Sequence, residues 1–205
     1  MRTISGYVAT MSSPTYTILV ANDVGTYTTP IGCVYIIVQM IGGGGGGGFI
    51  DTNGIGGGGG SAPYMELKFP AGSYEYSVGA GGIAGTISNN GNGRVGKTTT
   101  FGAAISVGGG GGRNDGGGGN PGQFTAAGQV IYTIRGVFGA SSIDPGFPTT
   151  GGASFLGPAV PFSSDFDFTP NPARGYGAGG TGSTTGAVNP ARAGAPGRIV
   201  IKEFY

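Results

Sequence analysis

The chain has 205 residues, of which 50 are glycine, and its 10 basic and 9 acidic side chains leave a net charge of +1. This balance argues against the basic surface that nucleic-acid binding needs, and the lack of a strict Gly-X-Y period excludes collagen. A hydrophobic content of 38%, with 10 Tyr and 11 Phe, indicates an ordered protein with a core.

The side chains that usually carry catalysis are scarce. Histidine is absent, which removes the commonest general base and a common metal ligand. The single cysteine, Cys33, stands in an apolar segment, where we predict a small buried side chain and no disulfide. We therefore expect a protein that is not an enzyme, with no cofactor and no metal site.

No export or membrane signal is visible in the sequence. Residues 1–8 carry one positive side chain and lack the apolar stretch of a secretory signal. The longest apolar run, residues 31–41, ends at glycine and falls short of the roughly 20 residues that span a bilayer. We expect synthesis in a host cytoplasm, no signal peptide and no membrane insertion.

No segment carries the apolar period of an amphipathic helix, so we predict an all-β or irregular fold with essentially no α-helix. Short segments rich in β-branched and aromatic residues predict strands. In chain order these strands are predicted at residues 16–21, 25–29, 34–41, 64–69, 73–78, 98–105, 130–134 and 198–205.

Glycine runs separate these strands, at residues 42–48, 56–60, 108–112 and 116–119, with looser clusters near 79–85 and 175–182. The first run directly follows the apolar strand at 34–41, which favours a place in the core. Polyglycine II helices rise about 3.1 Å per residue and lack internal hydrogen bonds, so neighbouring helices must pair their backbones. We predict short strands combined with packed polyglycine II helices, a glycine-rich sandwich; mobile glycine linkers are the alternative.

Turn signatures at Asn53-Gly54, Asn90-Gly91 and Asn92-Gly93 fit a chain that reverses repeatedly.

The composition changes at residues 143–172, where phenylalanine and proline alternate irregularly. Loops of this length in a compact domain are usually functional or disordered, and the aromatic content favours an ordered loop.

One motif matches the phosphate-binding loop: Gly91-Asn92-Gly93-Arg94-Val95-Gly96-Lys97-Thr98 reads G-x-x-x-x-G-K-T. That mechanism needs a buried strand before the loop and a helix after it. The sequence predicts a turn before this loop and a strand after it, so we interpret the match as fortuitous and predict no nucleotide site.

Two other sets of charged residues are weaker signals. Asp165 and Asp167 would share one face of an extended segment, which suits calcium or paired-carboxylate chemistry, but a solvated turn is the simpler interpretation. Arg174, Arg192 and Arg198 could bind anionic groups, yet solubilising charge accounts for them equally well.

Three parts of the sequence resemble a known pattern. They are the strand at 34–41 followed by the run 42–48, the segment Thr99-Thr100-Phe101-Gly102 before the run 108–112, and the closing Gly194-Ala195-Pro196-Gly197-Arg198-Ile199. The pattern is that of the glycine-rich domain of bacteriophage tail-fibre tip adhesins and of related surface proteins of large DNA viruses. The resemblance covers roughly residues 25–205.

This resemblance implies a sandwich of polyglycine helices whose loops bind the host cell surface, in a viral protein on the virion surface. Partners would be other virion proteins and a host surface protein or glycan, with a homo-oligomer as a further option. By position between the glycine runs, the expected receptor-binding residues are Phe49, Ile50, Asp51, Arg113, Asn114, Asp115, Phe155, Phe162, Phe166 and Phe168.

One departure from the tip adhesins concerns attachment to the fibre, because only a short segment precedes the glycine-rich part. We divide the chain into residues 1–24, a docking or oligomerisation segment, and residues 25–205, the glycine-rich domain with inserted loops. The alternative function is a structural virion component, such as a minor capsid, decoration or filament subunit without receptor binding.

Overall fold

The computed structural model describes residues 14–49, 56–141, 149–157, 175–183 and 191–205. These residues form two stacked regions. One is a sandwich of two antiparallel β-sheets, and the other is an array of extended glycine-rich segments that continue from the strand ends. The all-β prediction is confirmed, and the single helical element in the described ranges is a 3-10 turn, η1, at Ile87–Asn89.

Ten strands within the described ranges build the sandwich. They are β1 (Thr15–Leu19), β2 (Val24–Thr28), β3 (Tyr35–Ile41), β4 (Tyr64–Pro70), β5 (Ser73–Ser77), β6 (Thr99–Phe101), β7 (Ala104–Ser106), β8 (Phe124–Thr125), β9 (Gln129–Ile134) and β10 (Arg198–Phe204). Sheet A has the order β1-β10-β3-β4-β9, and sheet B has the order β2-β5-β6-β7-β8. Every pairing is antiparallel.

The sandwich core follows from the alternation of side chains along the strands. In β3, Ile36, Val38 and Met40 are fully buried, and the residues between them, Ile37 and Gln39, are part-exposed, as expected for a strand with one face on a core. Phe101 of sheet B is fully buried and its ring contacts that of Phe69 in sheet A. Cys33 is buried in the same cluster, which confirms the prediction for this side chain.

The glycine-rich array begins where β3 ends. Residues 42–48 form a central helix, and every third residue of this helix meets the same neighbour, as a threefold helix requires. The amides of Gly43 and Gly46 donate to the carbonyls of Lys97 and Arg94 respectively, so this neighbour runs antiparallel. Six segments surround the central helix: 91–97, 192–195 and 57–60 antiparallel, and 82–85, 109–112 and 180–183 parallel.

A second central helix, residues 56–61, is surrounded in the same way. Its amides donate to segments 180–183, 110–113 and 137–140, and its carbonyls accept from segments 45–48 and 119–122 and from Gly152. Each buried backbone group therefore finds a partner on another segment. An isolated polyglycine helix cannot supply these partners, so the segments stabilise one another.

Glycine is required in this array because the backbones touch. A Cβ atom on Gly45 would lie 1.9 Å from the carbonyl oxygen of Gly110, and one on Gly47 would lie 1.8 Å from that of Thr181. No side chain fits at such distances. The packed polyglycine helices predicted from the sequence are confirmed, and the alternative of mobile linkers is wrong for the described runs.

Successive segments of the array alternate in direction, which gives the serpentine path expected from the turn signatures. Asn90 and Gly91 reverse the chain with positive φ angles of 57° and 74°. Asn92-Gly93, by contrast, is not a separate turn: Gly93 already belongs to the segment 91–97, where its amide donates to Gly112. Asn53-Gly54 lies outside the described residues.

Two strand predictions need correction. The single strand expected at 98–105 is a hairpin of β6 and β7, because Gly102 adopts a positive φ of 54° and turns the chain. Strand β8 has two residues, too few for a periodic signal, and it was not predicted. Of the predicted docking segment, residues 15–19 pair with β10 along their whole length, as the edge strand β1 of sheet A.

Candidate binding surface at the end of the polyglycine array

Because successive segments of the array run in opposite directions, the connections between them lie alternately beside the sheets and at the far end of the array. Phe49, residues 86–92 and residues 113–115 lie at this far end, and we call them the distal tip. The amide of Phe49 donates to the carbonyl of Gly91 at 2.6 Å. The side-chain amide of Asn114 donates to the carbonyl of Asn90 at 2.9 Å. Three connections separated in sequence thus form one surface.

The 3-10 turn η1 is held by its own polar side chains. The amide of Thr86 donates to Oδ1 of Asn89 at 2.6 Å, and the side-chain amide of Asn89 donates to the carbonyl of Ala84 at 3.1 Å. These bonds fix the turn locally without any apolar burial, and the side chain of Ile87 remains exposed. The tip therefore presents an apolar side chain on an ordered turn.

Beside this turn, Arg113 and Asp115 form an ion pair of 2.5 Å in which both side chains are more than half exposed. An exposed pair of this kind contributes on the order of 0–1 kcal/mol to stability, so its charges remain available to a ligand. The backbone amide of Asn114 donates to Oδ1 of Asn92 at 3.0 Å, which joins residues 113–115 to residues 86–92. The arrangement offers donors and acceptors, with no catalytic constellation.

Phe155 does not join the distal tip. The segment 149–152 runs toward the sheets, so Phe155 lies at the opposite end, where its ring contacts Tyr64 at 4.7 Å and Tyr132 at 6.0 Å between centroids. Of the expected receptor-binding residues, the structure brings together Phe49, Arg113, Asn114 and Asp115. Outside the described residues lie Ile50, Asp51, Phe162, Phe166 and Phe168.

Sequence reasoning missed part of the tip. Ile87 and the asparagines at 89, 90 and 92 were not among the expected binding residues, although the Asn-Gly signatures at 90–93 lie in this region. The turn signature gave their place in the chain, but only the array geometry brings them beside Asn114.

The phosphate-loop match has a structural role in the array. The amides of Gly93, Arg94, Gly96 and Lys97 donate to backbone carbonyls of neighbouring segments at 2.8–2.9 Å. The motif leads into strand β6. A phosphate-binding loop directs its free amides at the ligand and begins a helix, and this segment has neither property.

The remaining candidate features from the sequence are a metal site, a membrane-spanning helix and single charged residues. Within the described ranges, no group of three or more Cys, Asp or Glu side chains is placed to hold a metal ion. In the same part of the chain, no helix is long and apolar enough to cross a membrane. Arg198 stacks on Tyr176 at 4.7 Å, whereas Arg174, Asp165 and Asp167 lie outside the described residues.

Comparison with known proteins agrees with this architecture. No curated protein matches the chain. A family model described as a glycine-rich domain matches residues 20–203, which covers nearly the whole sandwich and the polyglycine array. By this match, the chain belongs to the glycine-rich domain family.

Proposed function

We propose that this chain is a viral protein of the virion surface, an adhesin similar to those at tail-fibre tips, which binds the host cell surface through its distal tip. The observation that carries the proposal is the gathering of three separate connections at one end of a packed array. Function in such proteins resides in loops held by a rigid framework.

The array suits display because its backbone bonds leave little freedom for the connections that it holds. A binding surface that is ordered before contact loses less entropy on binding than a mobile loop does. The tip combines the exposed side chain of Ile87 with the amide of Asn114 and the Arg113–Asp115 pair. This mixture fits a polar surface with an apolar patch, as found on a host surface protein or glycan.

The test is binding of the purified, labelled chain to candidate host cells. A tip variant combines Ile87→Ser with Asp115→Ala, two exposed positions whose replacement leaves the array glycines in place. The matched control is Ile31→Ser, which removes an exposed isoleucine at the opposite end, between β2 and β3. We expect saturable binding that the tip variant loses by tenfold or more, about 1.4 kcal/mol, and that the control retains.

A well-folded wild-type chain that binds no host cell would overturn the proposal. Retention of binding in the tip variant together with loss in the Ile31 variant would move the receptor site to the sheet end. Circular dichroism and thermal melting of each variant separate loss of binding from loss of folding.

A structural virion component without receptor binding is the second candidate function. The observation that favours it is a group of exposed apolar side chains along one side of the sandwich, including Val130, Ile131 and Tyr132. Deletion of residues 1–13 spares β1 and tests attachment. A structural subunit predicts that this deletion prevents incorporation into particles while tip substitutions are tolerated.

A further inference from the structure

One side of the molecule carries an apolar surface that the tip does not use. Strand β8 is an edge strand of sheet B and strand β9 an edge strand of sheet A. Residues 126–128 join them, so both edges lie on the same side of the sandwich. Exposed hydrophobic side chains continue from these strands along the neighbouring segments. This lateral patch consists of Phe124, Val130, Ile131, Tyr132, Val137, Phe138 and Phe155.

The patch has two parts, one on strands β8 and β9 and one on the segment that follows β9. Residues 135–140 follow β9 directly and enter the array at its surface, where the carbonyl of Val137 accepts from the amide of Ser61. Phe155 reaches the patch from another segment, and its ring lies 6.0 Å from that of Tyr132. The patch therefore lies around the β9 edge at the junction of sandwich and array, with Val130 on the face of Leu67 and Tyr132 on the face of Glu66.

Strand β9 has one free edge. It pairs with β4 on one side, and a register shift opposite Glu66 and Leu67 inserts Ile131 as an extra residue. Among the described strands, none pairs with its other side. The strand from Gln129 to Ile134 contains no charge and no proline, two of the devices by which soluble proteins block an edge, and the bulge at Ile131 is the one such device that it has.

The area of the patch matches what a specific contact requires. Its side chains are between one third and two thirds exposed. With about 150–250 Å² for each aromatic side chain and somewhat less for each aliphatic one, the patch offers on the order of 600 Å². Complete burial of both patches would remove at most roughly 1,200 Å², the lower end of the range for stable protein interfaces.

We propose that the lateral patch is the interface of a homodimer, in which β9 of one copy pairs antiparallel with β9 of a second copy. A twofold axis brings the same surface together twice, so charges near the axis would repel their own copies; the seven members of the patch are uncharged, and the exposed Arg135 lies beyond the end of β9. The outer face of sheet A carries charged side chains, among them Lys68 and Lys202, and is less suited to such an interface.

In the dimer, the two A sheets join into one continuous sheet across the axis. The free backbone groups of each β9 gain hydrogen-bond partners, and Ile131 comes to lie near the interface. The tips of both copies extend from the same assembly, so a dimer would bind a surface through two sites at once. Dimerisation itself does not depend on the tip having a receptor.

Two substitutions on opposite edges of sheet A test the proposal. Ile131→Lys places a charge in the lateral patch, and Ile18→Lys places the same charge on β1, where Ile18 is exposed to a similar degree. The mass of the full chain in solution is measured by analytical ultracentrifugation from about 1 to about 100 µM, because dimers depend on concentration. We expect a wild-type dimer, a monomer for Ile131→Lys and a dimer for Ile18→Lys.

A wild-type chain that is monomeric throughout this range overturns the proposal. Dissociation by Ile18→Lys with retention of the dimer in Ile131→Lys also overturns it, and assigns the interface to β1. Phe138→Ser serves as a second patch variant if Ile131→Lys fails to fold, and its expected result is the same monomer.

Discussion

Three consecutive glycines in one array segment provide a sensitive test of backbone packing. A Cβ on Gly109 would lie 2.0 Å from the carbonyl oxygen of Gly60, and one on Gly111 would lie 2.0 Å from that of Gly93. On Gly110 the nearest atom would be the amide nitrogen of Asn120 at 3.0 Å. We therefore expect Gly109→Ala and Gly111→Ala to destabilise the protein strongly, and Gly110→Ala to have little effect.

The expected magnitude for Gly109→Ala follows from the hydrogen bonds of Gly60. Relief of the 2.0 Å contact to even 3.0 Å displaces this carbonyl by at least about 1 Å. Gly60 accepts from Gly45 at 2.9 Å and donates to Gly110 at 2.8 Å, and both bonds would break. At about 1–3 kcal/mol for each buried group left unpaired, the cost is roughly 2–6 kcal/mol.

All three changes alter the unfolded chain in the same way. Replacing glycine by alanine reduces unfolded-state entropy and stabilises by about 0.4–1 kcal/mol wherever the native conformation accepts it. This gain offsets the tight contact at Gly110, so its net change should stay within about 1 kcal/mol. Because the unfolded states are matched, the difference between variants isolates packing in the folded state.

Thermal unfolding followed by circular dichroism measures the effect. For a chain of this size, 1 kcal/mol shifts the melting temperature by about 2–4 °C, so Gly109→Ala should melt about 4–24 °C below the wild type. Similar, small shifts for all three variants would refute the packing described here. A large shift for Gly110→Ala alone would place this segment in a different register.

Three further predictions concern the sandwich. Burial, and then the hydrogen bond to Glu203 at 2.6 Å, raise the pKa of Tyr27 well above its ordinary value of 10.0. The Tyr27 hydroxyl therefore ionises at lower pH in the unfolded chain than in the folded one, so its contribution to stability is complete below pH 10 and is lost as pH rises above it. Between pH 8 and pH 11, the free energy of unfolding in urea should fall less in Tyr27→Phe than in the wild type. Ser106→Ala leaves the amide of Gly42 without its 2.8 Å acceptor and should cost about 1–3 kcal/mol in the same assay; a change below about 0.5 kcal/mol would contradict this bond. Phe101→Ala empties the core between the sheets and should cost about 3–5 kcal/mol, seen as a lower denaturation midpoint; a variant as stable as the wild type would show that the sheets do not pack through this ring.

The sequence determined the kind of structure. The β-branched residues of β3 predict a strand from the sequence alone. A glycine run at the end of that strand can be buried only if other backbone segments form hydrogen bonds with it. These are local properties, so the strands and the packed polyglycine helices were both predictable. The hairpin of β6 and β7 was not, because its turn depends on the conformation of Gly102.

The tertiary structure decided which segments are neighbours. Residues 42–48 could pair with any glycine run of suitable length, since glycine has no side chain by which one run differs from another. The register is fixed instead by the strands at the ends of the runs, which pair through side chains specific to each position. For this reason the sequence placed Phe155 and Arg113 in one binding surface, whereas the fold separates them to opposite ends of the array.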